Sequence, residues 1–333
     1  MKVSVLPFDM ASPGDGSGVR RALRRLAIHD VLQLAVIAKI EGTATLNDVS
    51  RELAGERVAA ELRRAGGAGL ERRSLTLLSV GCEGIITPGG WIIASLRGRS
   101  SQGTGLAVGH ARSRPIAMRD RASGKHMRAA ADAVRAAMRR AGLDRRSAEL
   151  VLIKSPIRLP GGSTAASRGI AALGSALALG ELRYSSVGDS SLCADWSLHS
   201  SKTMAFSGTE TDCCEVLVLG NRPGGDPRLR VDRAQLSDLM DTAPLAGLAG
   251  GGEARLVFYK AGIARDGTLR GARTTVLSSE MPSDKQLRAA ASGVVAATFG
   301  TTRAFISGGA EHQAPPGGCM AAVIRDLAGS TGG

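Results

Sequence analysis

The sequence predicts an α/β protein built from three homologous α/β repeat units around a pseudo-three-fold axis. Three observations predict it. An apolar triplet ending in Lys occurs three times: Val36-Ile37-Ala38-Lys39, Val151-Leu152-Ile153-Lys154 and Val257-Phe258-Tyr259-Lys260. Each reads as a buried strand with Lys at its exit. Further along, an apolar run ends in Ser79, Ser207 or Ser307, and a small-residue turn then leads to Glu83, Glu210 or Glu311. Finally, Gly- and Pro-rich stretches at 97–105 and 243–253 read as linkers, giving units at 1–100, 105–241 and 251–333. A further loop is expected at 221–227 (NRPGGDP).

Each unit also carries helix signals. Residues 127–141 have the helical period, with Val134 and Met138 on one side and Arg residues opposite. Ser283-Asp284 starts another helix, which reads through Leu287 and Ala291. The most apolar stretch, 169–182, is short and interrupted by Gly, so it reads as a buried helix and not a membrane span.

Composition narrows the function. Of 333 residues 43% are apolar, enough for a real core, yet only nine are aromatic, so that core rests on Ala, Leu, Val and Ile. Pro7, Asp9 and Pro13 interrupt the start, which argues against a signal peptide. Five Cys without regular spacing argue for a reducing cytoplasm, and five scattered His offer no zinc site. The net charge of +13 suggests an acidic partner. Nucleic acid is disfavoured, because the basic residues are spread along the chain and no aromatic platform or finger motif accompanies them. A small anion suits the charge better.

The Lys usage is the sharpest signal. Only seven of the 43 basic residues are Lys, and three of those seven occupy the same place in the repeat. Arg holds its proton in proteins, whereas a desolvated Lys crowded by cations releases it. Three Arg follow in matching order, Arg51, Arg168 and Arg288, each beside a helix-like stretch. Packed around one axis, Ser, Lys and Arg would converge in threes. A Ser hydroxyl beside a neutral Lys amine is a nucleophile with its base. Exposed N–H groups in the Gly-rich turns can hold an oxyanion, and Arg can grip carbonyl oxygens. The reaction class implied is acyl transfer, with amide hydrolysis the simplest case. Such a pocket suits a small ring with three carbonyls. No dinucleotide or P-loop motif competes.

These residues resemble the ring-opening amidohydrolases, the cyanuric acid hydrolase and barbiturase family. The segments that carry the resemblance are KIEGTATLNDVSR (39–51), SRGIAALGSALALGE (167–181), DWSLHSS (195–201), SGTETDCCEVLVLGN (207–221) and SGGAEHQAPPGG (307–318). The resemblance implies sheets forming a central barrel-like core with helices outside, and a tetramer of identical chains. It implies that the middle unit holds the productive pair, by position Lys154 and Ser207. Lys39, Lys260, Ser79 and Ser307 would then position and polarise the ring, with Arg51, Arg168 and Arg288 binding it and the backbone at Val80, Gly208 and Gly308 touching its oxygens. Val80 stands where the family has Gly, which puts a branched side chain beside the site. No cofactor is implied for catalysis. A structural divalent metal, Mg or Ca, is implied, held by oxygens matching Ala310, Gln313, Pro315 and Gly318 together with a Glu in the third unit. Gly262 replaces that Glu here. The expected reaction is opening of a six-membered cyclic amide or ureide. Cyanuric acid, giving carboxybiuret and then biuret, is the first candidate, and barbituric acid or another cyclic imide is the alternative. A ligand-binding relative without catalysis is the non-enzyme alternative.

Overall fold

A computed structural model describes residues 1–43, 48–98, 102–159, 162–276 and 283–327. In the first unit, β1 (Lys2–Asp9) and α1 (Ser17–Leu23) precede β2 (Val31–Ile40), and α2 (Ser50–Arg73) leads to β3 (Ser74–Val80) and β4 (Gly89–Leu96). The second unit repeats this order with β5 (Thr104–Arg112), α3 (Gly124–Ala141), β6 (Ala148–Pro156), α4 (Thr164–Leu179), β7 (Thr203–Gly208) and β8 (Glu215–Pro223). The third contains β9 (Leu229–Leu236), α5 (Ala243–Ala249) and β10 (Glu253–Ala261), then a two-rung hairpin of β11 (Thr268–Leu269) and β12 (Ala272–Arg273). It ends with α6 (Ser283–Phe299), β13 (Phe305–Gly308) and β14 (Cys319–Asp326).

The three four-stranded sheets share one topology: β1-β4-β2-β3, β5-β8-β6-β7 and β9-β14-β10-β13. In each, the Lys-bearing strand pairs in parallel with the Ser-bearing strand and antiparallel with the last strand. The parallel pair is joined through a helix, as a crossover requires. Two expectations change here. The second boundary falls within 224–228, because β9 pairs with β14 and so belongs to the third unit, not the second. The stretch read as a linker at 243–253 contains α5, which has Pro244 in its first turn and buries Leu245 and Leu248. Pro is pre-organised for a helix start, and Leu residues three apart share a face.

Alternation along the strands sends every other side chain inward. Ile37, Leu77, Leu152, Met204, Phe206, Phe258 and Phe305 belong to one core shared by the three sheets. The opposite faces build a separate core in each unit beneath its helices. The helices therefore lie outside, and the sheets surround the common core as three separate sheets. Helix ends are specified locally. Ser163 caps α4 by accepting from Ala165 and Ala166 N–H, and Gly180 closes it in the left-handed region at φ 73°. Ala- and Gly-rich α4 is buried from Ser167 to Leu179, as its composition predicts.

Candidate active site

The Lys residues sit at the inward ends of β2, β6 and β10, and all three are buried to within 2% of full exclusion. Each reaches across to its neighbours. Lys39 Nζ donates to Ser79 Oγ at 3.0 Å and to the Val80 carbonyl at 3.3 Å. Lys260 Nζ donates to Ser307 Oγ at 3.2 Å and to the Gly308 carbonyl at 2.9 Å. It also donates to the Ala205 carbonyl of the second unit at 2.8 Å, as Lys154 Nζ donates to the Leu78 carbonyl of the first unit at 2.8 Å. Leu78 precedes Ser79, so by this equivalence the residue in the serine place of the second unit is the one after Ala205, namely Phe206.

Sheet register says the same. Lys39 lies opposite Ser79 and Lys260 opposite Ser307, but Lys154 lies opposite Phe206. Ser207 pairs with Ser155, one position on. Because strand side chains alternate, that single step turns Ser207 to the other face. The expected pair of Lys154 and Ser207 is therefore not brought together. Phe206 is buried in the shared core, edge-on to Phe305 with ring centroids 5.2 Å apart, and its ring lies 5.1 Å from Lys260 Nζ. Lys154 is instead ion-paired to Glu210 at 2.5 Å.

The sequence did contain the signal. From Ser to Glu the step is four residues in the first and third units and three in the second. Aligned on Glu, the triads are Ser79, Phe206 and Ser307; Val80, Ser207 and Gly308; and Gly81, Gly208 and Gly309. Gly208 thus corresponds to Gly81 and Gly309, and Val80 does not crowd the site. Its side chain packs in the outer core of the first unit.

The three Arg residues converge as expected, and each meets a partner that sequence reasoning did not assign. Arg51 pairs with Glu210 at 3.0 Å, Arg168 with Glu311 through hydrogen bonds of 2.8 and 2.7 Å, and Arg288 with Glu83 through bonds of 2.6 and 2.7 Å. Each pair joins two units: first to second, second to third, and third to first. The result is a closed three-fold ring of ion pairs around the Lys amines. Two glycines make it possible. Gly81 and Gly309 have φ of 111° and 77°, and a Cβ would lie 2.7 Å from Arg288 and 2.3 Å from Arg168. A side chain in either place would displace the guanidinium.

Burial and charge set the protonation states. Burial lowers Lys39 to about 7, and the Arg288 charge adds to the effect. Burial also lowers Lys154, but Glu210 pulls it back up. Burial raises Glu311, but Arg168 more than reverses this and brings the carboxyl to about 2. Glu83 and Glu210 end below their usual range in the same way, held down by Arg288 and by Lys154 with Arg51.

The residues implied for a metal do not suit one. Gly262 has no carboxylate, and a Cβ there would lie 2.0 Å from the Gly318 carbonyl. Gln313 Oε1 accepts from Ala205 N at 2.6 Å, and the Ala310 and Pro315 carbonyls accept from Gln313 N and Gly318 N at 2.9 and 2.8 Å. What remains is neutral backbone oxygen, a poor donor set for a hard divalent cation.

Three like-folded α/β units whose Lys, Ser, Arg and Glu side chains meet at one centre define a repeat-built hydrolase scaffold with serine–lysine contacts. The chain belongs to the ring-opening amidohydrolase family. The model of that family, the amidohydrolase ring-opening proteins, matches residues 4–161 and 159–326. A cyanuric acid amidohydrolase of Methylobacterium sp. (strain 4-46) is 34% identical, with 99% of each chain covered. A cyclic amide hydrolase of Azorhizobium caulinodans (strain ORS 571) is 32% identical, covering 98% of this chain and all of that one. A crystal structure of cyanuric acid hydrolase from A. caulinodans superposes with a TM-score of 0.90 at 31% identity, covering 98% of this chain and 99% of the other.

Proposed function

We propose that this protein hydrolyses a six-membered cyclic amide or ureide to its ring-opened acid. The observation that carries the reading is the hydrogen bond between the buried Lys39 amine, lowered to about 7, and the Ser79 hydroxyl, within a ring of Arg–Glu pairs. A neutral amine there accepts the hydroxyl proton as oxygen attacks a ring carbonyl. The cationic surroundings, from Arg51, Arg168 and Arg288, favour the oxyanion that follows and a substrate that is itself acidic. Each step is served by side chains of the chain, so the reading calls on no cofactor. Relatives are named for cyanuric acid and for cyclic amides, so cyanuric acid leads the substrate candidates, with barbituric acid next.

The test follows loss of ring absorbance for cyanuric acid, barbituric acid and several cyclic imides. The wild type should open at least one ring. The Ser79→Ala/Ser307→Ala double variant, folded by circular dichroism, should open none. A folded wild type that leaves every ring intact would overturn the reading.

A further inference from the structure

We infer that Phe206 makes this site selective for a six-membered cyclic imide or ureide with carbonyls on only two of its three alternate ring atoms, the third being a CH or CH2. This rests on the hydrolase reading above and changes only the choice of ring.

A ring lying on the pseudo-three-fold axis turns one alternate ring atom toward each unit. A carbonyl buried there needs a donor, because without one it loses the hydrogen bond it had to water. The first and third units each supply a hydroxyl, Ser79 opposite Lys39 and Ser307 opposite Lys260. Both keep a little exposed surface, so their oxygens are within reach of a ligand. The middle unit breaks the pattern. Phe206 lies opposite Lys154, and strand alternation turns the next residue, Ser207, to the other face.

The amine of the middle unit does not make up the loss. Lys154 Nζ is ion-paired to Glu210 at 2.5 Å and donates to the Leu78 carbonyl at 2.8 Å. A charge-assisted bond to a carboxylate is the stronger one, so a donor held in this way gains little by turning to a neutral ring carbonyl.

What the middle unit offers instead is hydrocarbon. The Phe206 ring stands edge-on to Phe305 with centroids 5.2 Å apart. It lies 5.1 Å from Lys260 Nζ, and the Phe305 ring lies 5.9 Å from Lys39 Nζ. The two rings therefore run an apolar surface between the amines of the two units that hold the serines. A CH2 packs on such a surface at no polar cost, whereas a third carbonyl is left unpaired against it.

Glutarimide and dihydrouracil have this pattern, two carbonyls and one CH2 on alternate ring atoms. Cyanuric acid and barbituric acid carry three carbonyls. The reaction balances with one water. A ring C–N bond breaks, the carbonyl carbon keeps the water oxygen as a carboxylic acid, and the nitrogen takes a hydrogen as an open-chain amide or urea.

The experiment measures kcat/KM for these four rings, with ring loss followed by liquid chromatography and mass spectrometry. Wild type should favour a two-carbonyl ring over both three-carbonyl rings by ~10-fold or more, the effect of one unpaired buried carbonyl. Phe206→Ser should move that ratio toward cyanuric acid by ~10-fold or more, and Phe206→Leu should leave it in place. A purely structural role for the ring would lower turnover of all four alike. A smaller wild-type preference, its reverse, or an unchanged ratio in a folded Phe206→Ser would overturn the inference and leave the hydrolase reading standing. If Phe206→Ser does not fold, the wild-type ratio decides. If wild type opens none of the four, the hydrolase reading fails, and calorimetric binding of glutarimide and cyanuric acid to wild type decides. Glutarimide bound ~10-fold tighter would support the selectivity, and a smaller difference, the reverse order or binding of neither would overturn it.

Discussion

Replacing Glu311 with Gln removes one charge from the buried bidentate pair with Arg168. Its magnitude follows from the site. Glu311 falls from 4.5 to about 2 in the folded protein, so its charged form is favoured by roughly 3 kcal/mol at ~1.4 kcal/mol per pH unit. Neutralising the carboxylate that the Arg168 guanidinium, itself 8% exposed, holds in two hydrogen bonds points to the same range of ~3–5 kcal/mol. The sign with pH is fixed. The folded carboxyl lies below the unfolded one, so its contribution is complete above about 4.5 and disappears as pH falls toward about 2. Urea unfolding of wild type and Glu311→Gln at pH 7 and at descending acid pH measures it. The gap should be about 3 kcal/mol at neutral pH and shrink below pH 4.5. A gap under ~1 kcal/mol at pH 7, the size of an exposed ion pair, would refute the reasoning.

Other outcomes follow from the same geometry. Gly309→Ala should destabilise by ~1–3 kcal/mol and lower turnover, because φ of 77° and a Cβ 2.3 Å from Arg168 leave no room; an unchanged urea midpoint would count against this. Phe206→Ser should cost ~3–5 kcal/mol in the same assay, as it empties a buried ring site against Phe305. Turnover should rise with pH through about 7 and then level, since Lys39 acts as the neutral amine; a rate that falls across that range would contradict its role as base. Chelator treatment should leave the unfolding midpoint unchanged, and a large drop would show that a metal binds without a carboxylate at Gly262.

Much of this was legible in the chain. Apolar triplets ending in Lys read as buried strands with an awkward charge at the exit, and the use of Lys there in an Arg-rich protein set that charge apart. The three-unit organisation and the Arg convergence followed from the repeat, and the exterior helices from the family resemblance. What the sequence hid was register. The middle serine motif was aligned on its Ser, yet the sheet aligns it on Glu210, because inward alternation must carry Met204 and Phe206 into the shared core. The carboxylate partners were hidden for a different reason: each Arg–Glu pair spans two units, and local patterning says nothing about contacts made across more than a hundred residues. The misplaced unit boundary was a matter of composition. Ala, Gly and Leu in α5 look like a linker until Leu245 and Leu248 find a surface to cover.

The measurement that tests the central claim most directly is capture of the covalent intermediate. Wild type is mixed with cyanuric acid or barbituric acid, quenched in acid during turnover, and digested for peptide mass mapping. An acyl mass on the peptide containing Ser79, lost in Lys39→Met, is the result predicted. Turnover with the adduct on Ser207, or with no adduct on any serine, would contradict it.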